Sequence, residues 1–220
     1  MPGKLIVLEG LDGSGKSTQV GMLYERLERN GVDLRLIKLP DYDSDSSALV
    51  KMYLSGKFGT AADSVNPYAA SAFYAVDRYA SYNTDWKSDY ESGKIVLADR
   101  YVSSNAIYQM TKLPREGWDA YLEWLSDFEY EKMGVPRPQK VIFLDMPVEV
   151  SQALMTSRYH GEESMKDVHE RNVKFLTECR CAALYAADKL GWEVISCAES
   201  GKPYSREAVA EKIDLCLKLI

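Results

Sequence analysis

The stretch Gly10-Leu11-Asp12-Gly13-Ser14-Gly15-Lys16-Ser17 constrains this chain more than any other, because of what flanks it. The apolar run Leu5-Ile6-Val7-Leu8 precedes it and a segment of helical periodicity follows, so the order reads strand, loop, helix. Phosphate oxygens need several donors converging on one point. Glycines let backbone N–H groups turn inward, and the positive end of the following helix adds attraction. In that geometry Lys16 reaches the β/γ-phosphates of a nucleotide, and the Ser17 hydroxyl is placed to hold Mg²⁺. A glycine turn with no ligand is the alternative reading, and it makes the flanking strand and helix a coincidence.

The 220 residues suffice for one substantial core, and a single α/β domain over residues 1–220 is expected. A formal charge of −6 implies no extended basic face, so nucleic acid is not an expected partner, while a local cationic pocket for small anions stays open. Cys179, Cys181, Cys197 and Cys216 lack the spacing of a zinc site and read as reduced, structural thiols. No signal-peptide pattern and no apolar run of membrane-spanning length occurs, which predicts a soluble cytoplasmic protein without a membrane partner.

Taken in order, strands are predicted at 4–9, 34–39, 95–98, 141–144 and 192–196. Helices are predicted at 17–30, 46–54, from the Asn66-Pro67 cap to about Tyr90, 103–111, 114–133, 148–157, 168–190 and 205–220. Alternating strands and helices predict an α/β fold, a five-stranded parallel sheet with helices on both faces. Pro40 stops the second strand in the turn-rich loop Leu39-Pro40-Asp41-Tyr42-Asp43-Ser44. Arg158 to Lys166 is polar, contains glycine and has no apolar period; it reads as a mobile lid over approximately 158–167.

Three places beyond the loop are candidates for chemistry. Asp99-Arg100 closes the third strand, where the carboxylate can orient Mg²⁺ or its waters and the guanidinium can face a phosphate; a plain surface ion pair is the alternative. Tyr74 and Arg78 share a helix face, which suits either a stacked base with a fork of donors on its edge or ordinary core packing. Arg158 and Lys166 in the lid are cations that closure would deliver, or a solvated charge run.

Together these features resemble the thymidylate kinase family, nucleoside-monophosphate kinases that pass the γ-phosphoryl of ATP to dTMP. The resemblance runs from Leu8-Glu9-Gly10-Leu11-Asp12-Gly13-Ser14-Gly15-Lys16-Ser17-Thr18 to the last helix, and Asp99-Arg100-Tyr101 through Tyr108-Gln109 is its most specific part. It implies a P-loop NTPase fold with a mobile lid, ATP as co-substrate held by Gly10 to Thr18, and Mg²⁺ on Ser17 and Asp99. Asp12 matches the carboxylate that accepts the acceptor sugar's 3′-OH and helps hold the loop arginine, and Arg100 the arginine on the acceptor phosphate. Tyr74 matches the aromatic stacked on thymine, Arg78 the arginine on the base's O4, Asn105 with Ser104 the pair on the base edge, and Tyr108 the tyrosine under the deoxyribose. Asp167 and Glu170 resemble the acidic pair at the lid's end, and the loop carrying Tyr42 resembles a Phe-Pro-x-Tyr version of one bacterial branch. Members are usually homodimers.

The chain also departs from the family's pattern. Asp41 and Tyr42 stand near where other members place a second-loop arginine, Gly13 stands where one branch carries an arginine, and Glu162 and Glu163 dilute the lid's cations. The expected chemistry is phosphoryl transfer to dTMP carried by Lys16, Arg100, Asp12 and a lid cation, Arg158 first. Another monophosphate or a deoxynucleoside as acceptor, and a nucleotide-binding module without an acceptor, are the alternatives.

Overall fold

In the computed structural model, which describes residues 2–59, 64–158 and 172–217, the apolar run becomes strand β1 (Leu5–Gly10), buried along its whole length. The loop then leads into helix α1 (Lys16–Arg29). The other strands are β2 (Leu34–Lys38), β3 (Ile95–Asp99), β4 (Lys140–Asp145) and β5 (Glu193–Ser196). They form the expected five-stranded parallel sheet, in the order β2-β3-β1-β4-β5. Lys38 pairs in register with Asp99 and Asp145 with Ser196, so in both pairs the strands end together. Near-continuous apolar burial along β1, β3 and β4 is the mark of central parallel strands.

The chain forms two compact units, and β1 runs through both. The first comprises Met1–Val7 and Asp33–Gln139. Its helices are α2 (Ala48–Leu54), α3 (Pro67–Ser81), α4 (Lys87–Glu91), α5 (Ser103–Tyr108) and α6 (Trp118–Ser126). Asn66 caps α3 as its sequence implies, its Oδ1 accepting from Ala69 N–H at 2.9 Å with Pro67 in the first turn. The single helix expected to about Tyr90 is interrupted by a π-helical turn at Tyr82–Trp86, which places Trp86 in the core against Tyr101. The helix expected over 114–133 likewise resolves into a 3₁₀ turn, α6 and a second π-helical turn at Asp127–Lys132.

The second unit comprises Leu8–Val32 and Lys140–Ile220. Here α7 (Val148–Arg158), α8 (Val173–Leu190) and α9 (Arg206–Leu217) join α1 around β4 and β5. Arg180 of α8 donates from both Nε and Nη2 to Asp145, at 2.6 and 2.9 Å, and ties that helix to the end of β4. A short hairpin, β6 (Ala198–Glu199) with β7 (Lys202–Pro203), was not expected. Its turn residues Ser200 (φ 50°) and Gly201 (φ 76°) are both left-handed, as a two-residue hairpin of the right twist requires. No helix among the described residues is long and apolar enough to cross a membrane, and the four cysteines are free thiols.

Candidate active site

Within the second unit, the loop after β1 turns through Gly13 (φ 76°) and Gly15 (φ 83°), both in the left-handed region that favours glycine. Among the described residues no side chain caps the N-terminus of α1, and no acidic residue lies in its first turn, so its partial positive charge suits an anion. The Ser14 hydroxyl is buried without a hydrogen-bond partner among the described residues, Lys16 is buried at the helix start, and Ser17 is exposed one residue on. A cavity of about 500 Å³ opens beside the loop, bordered by Thr18 and Gln19 of α1, by Met155 of α7, and by Tyr204 and Arg206 beyond the hairpin. Gln19 Nε2 donates to the Arg206 carbonyl at 2.9 Å and joins two of those walls. A polar cradle for phosphates next to a recess of this volume and mixed lining suits a nucleotide.

The first unit holds the candidates from Tyr42 to Tyr108. Tyr74 is half-buried on α3, and burial pushes its hydroxyl pKa up; Tyr42 and Tyr53 add to the shift, while Arg100 and Arg78 oppose it. Tyr42, Arg78 and Arg100 are thus near enough to Tyr74 for their charges to act on its hydroxyl. Arg100 follows β3 with φ 72°, a conformation that costs a side-chain-bearing residue energy and that surroundings must enforce. Its Nη1 donates to the Tyr108 hydroxyl at 3.0 Å, and the guanidinium lies 5.2 Å from the Tyr108 ring centre. Asp99, the last residue of β3, is buried.

Arg78 is 3% exposed and pairs with Glu129, which is fully buried, through Nε to Oε2 at 2.9 Å and Nη2 to Oε1 at 2.6 Å. Asn105 Nδ2 donates to the same Glu129 Oε1 at 3.2 Å and to the Ser71 carbonyl at 3.4 Å. Ser104, its neighbour, is partly buried. Buried Asp77 accepts from Asp41 N–H at 3.0 Å and Ser46 Oγ at 2.7 Å, which fixes the loop that carries Tyr42. Neither Asp77 nor Glu129 was singled out from sequence. The periodicity that put Tyr74 and Arg78 on one face also put Asp77 beside them, and an acidic residue on a burying face was the signal.

One lysine in this unit makes stability depend on pH. Lys112 Nζ donates to the Tyr53 hydroxyl at 2.7 Å and the Val65 carbonyl at 3.1 Å, and burial lowers its pKa from 10.5 to about 8. Between those values the unfolded chain holds the proton and the folded one does not, so this group makes stability rise with pH from about 8 to 10.5. Cys197, raised to about 12 by burial, acts in the opposite sense from pH 9 upward. The comparison is therefore with Lys112→Met: melting curves across this range are expected to show wild type gaining on the variant as pH rises. Parallel curves would remove Lys112 from the pH response.

The lid expectation over 158–167, with Glu162, Glu163, Lys166, Asp167 and Glu170, falls on residues outside the described ones, as does the side chain of Arg158, whose backbone ends α7. The phosphate loop thus lies in one unit, and Tyr42, Tyr74, Arg78, Asp99, Arg100, Ser104, Asn105 and Tyr108 in the other.

A glycine phosphate loop between a buried parallel strand and an uncapped helix defines a nucleotide-binding protein of the P-loop class. The family model for thymidylate kinase matches residues 8–208, and the chain belongs to that family. The chain is 34% identical over 171 residues to a probable thymidylate kinase of Thermococcus onnurineus, covering 77% of this chain and 73% of the relative. Against the thymidylate kinase of Halothermothrix orenii the identity is 31% over 223 residues, 99% of each chain. A solved structure of thymidylate kinase from Candida albicans shares the fold, with a TM-score of 0.70 at 20% identity over 99% of this chain and 92% of that one.

Proposed function

We infer that the chain is a thymidylate kinase, transferring the γ-phosphoryl of ATP to dTMP to give dTDP and ADP. The observation that carries the monophosphate reading is Arg100, held in a left-handed conformation against Tyr108 and near enough to Tyr74 to act on its hydroxyl. A guanidinium fork matches phosphate geometry bidentately, which suits an acceptor that carries a phosphate better than one that carries only a hydroxyl.

In this reading an oxygen of the dTMP phosphate attacks the γ-phosphorus as the bond to the ADP oxygen breaks, and the attacking oxygen, already anionic, requires no general base. Gly10, Leu11, Asp12, Gly13, Ser14, Gly15 and Thr18 surround the donor phosphates, and Lys16 neutralises charge on the transferred group. Among the described residues no three acidic, histidine or cysteine groups cluster to hold a metal, so the donor set fits an ion carried by the nucleotide, with the Ser17 hydroxyl as protein ligand and Asp99 orienting its waters. Bound Mg²⁺ would supply positive charge to offset that of the phosphates.

Arg100 holds the acceptor phosphate, Asp12 the 3′-OH, Tyr108 the sugar face and Tyr74 the base plane, with Arg78, Asn105 and Ser104 on the base edge. Tyr42 and Glu170 border the acceptor, and Arg158 supplies the lid cation. We read the two units as one kinase domain with a lid over 158–167, acting as a cytoplasmic homodimer on free nucleotides.

The test is coupled ADP release with ATP and Mg²⁺ against dTMP, dUMP, dCMP, dGMP, UMP and thymidine. Fast release with dTMP and little with thymidine is expected. Another monophosphate winning would overturn the base assignments, and release indifferent to every acceptor would overturn the kinase reading.

A further inference from the structure

The geometry points to Glu129 as the residue that fixes which base edge this kinase accepts, by turning Arg78 and Asn105 into a donor–acceptor pair complementary to thymine and mismatched to cytosine. The inference rests on the function proposed above and adds a residue to its acceptor site.

A carboxylate accepts and does not donate, so each group that meets Glu129 must present a donor to it. Arg78 meets it with Nε and Nη2, and these two bonds leave Nη1 as the edge of the fork not spent on the pair. Asn105 meets it with Nδ2, and the Ser71 carbonyl, also an acceptor only, takes the same nitrogen at 3.4 Å. Two acceptors on one side of the amide fix its orientation, and Oδ1 is the atom left for a ligand. The site therefore offers a donor from Arg78 beside an acceptor from Asn105.

Thymine and uracil present the complement, O4 to accept and N3–H to donate. Cytosine presents an amino group and a bare N3, so it meets donor with donor and acceptor with acceptor. The carboxylate that sets this pattern lies in the π-helical turn after α6, a widened turn of the kind that re-aims side chains at functional sites. Asn105 is held from behind as well, because the Tyr121 hydroxyl contacts Ser71 Oγ at 2.6 Å and donates to the Asn105 carbonyl at 3.3 Å. Glu129 touches no reacting atom in this account. It is a positioning residue.

The test compares kcat/KM for dTMP and dCMP in wild type, Glu129→Gln and Glu129→Asp. A glutamine can turn its amino group toward Asn105, which leaves only the 3.4 Å bond to Ser71 to hold the amide. The preference for dTMP over dCMP is expected to fall about tenfold or more in E129Q, the worth of roughly one hydrogen bond in the base edge. The loss should sit in KM rather than kcat. E129D keeps an acceptor-only group but draws it back by one methylene, and a smaller fall in the same direction is expected.

A ratio of the two acceptors measured on one preparation does not depend on the folded fraction, so partial unfolding leaves the readout intact; should E129Q yield no folded enzyme, E129D decides. Equal losses for dTMP and dCMP, with the preference unchanged, would overturn the assignment. A wild-type enzyme that does not prefer dTMP over dCMP would instead overturn the function on which it rests.

Discussion

Arg100→Ala lowers turnover with dTMP by about two to three decades and leaves the far-UV circular dichroism unchanged; a preorganised charged donor on a transferring or accepting phosphate is worth about 3–4 kcal/mol in the transition state. The structure gives this expectation a second, independent arm. Arg100 has φ 72°, and a left-handed conformation costs a residue with a Cβ about 1–2 kcal/mol. A residue of no functional use would not be retained at that cost, because glycine fits the same backbone freely. Arg100→Gly is therefore expected to lose turnover as Arg100→Ala does while melting roughly 2–4 °C higher than Arg100→Ala, the shift that about 1 kcal/mol produces in a chain of this size. Coupled ADP release and thermal melting on the same two preparations read both arms. Wild-type turnover in Arg100→Ala would remove the residue from the mechanism. A glycine variant that melts below the alanine variant would show that the strain lies elsewhere.

The local signals in the chain were legible where one residue type answers one backbone requirement. Gly13 and Gly15 mark left-handed turns, Asn66-Pro67 opens α3, and unbroken apolar runs became β1 and β4. The two π-helical turns were not legible, because one extra residue in a turn shifts the apolar period too little to separate from noise. Ser200-Gly201 did signal its hairpin, but two-residue strands carry no alternation to confirm it.

Tyr74 and Arg78 were placed correctly on one face, yet spacing left packing and binding both open. The structure binds Arg78 inward to Glu129 and leaves Tyr74 half-buried. Glu129 itself lies in the mostly charged run Asp127-Phe128-Glu129-Tyr130-Glu131-Lys132, and its partners are 51 and 24 residues away. Nothing local distinguishes its carboxylate from its neighbours; only the tertiary fold makes it the buried one.

Gly13 bears on the departure in the phosphate loop, where one branch of the family carries an arginine. A Cβ at this position would sit 3.0 Å from both Cβ and the carbonyl oxygen of Ser151 and 3.1 Å from Met155 Cγ, on a backbone with φ 76°. Met155 can turn away, but the Ser151 carbonyl belongs to α7 and moves only with the helix. Gly13→Ala is accordingly expected to destabilise by about 2–4 kcal/mol, the sum of left-handed strain and overpacking. That corresponds to a fall in Tm of roughly 5–15 °C for a chain of this length. The loop's N–H groups shift with it, so KM for ATP should rise about tenfold or more, as when a phosphate-binding hydrogen bond is lost. Gly13→Arg is expected to lose at least as much, because its added cation has to pass the same carbonyl. Ser151→Gly in the Gly13→Ala background removes one of the two 3.0 Å contacts and leaves the other and the strained φ, so it should restore part of the stability and not all. A Gly13→Ala variant that melts with wild type would mean that α7 yields here; the loop would then have room for the arginine, and its absence would have to be explained by charge instead of space.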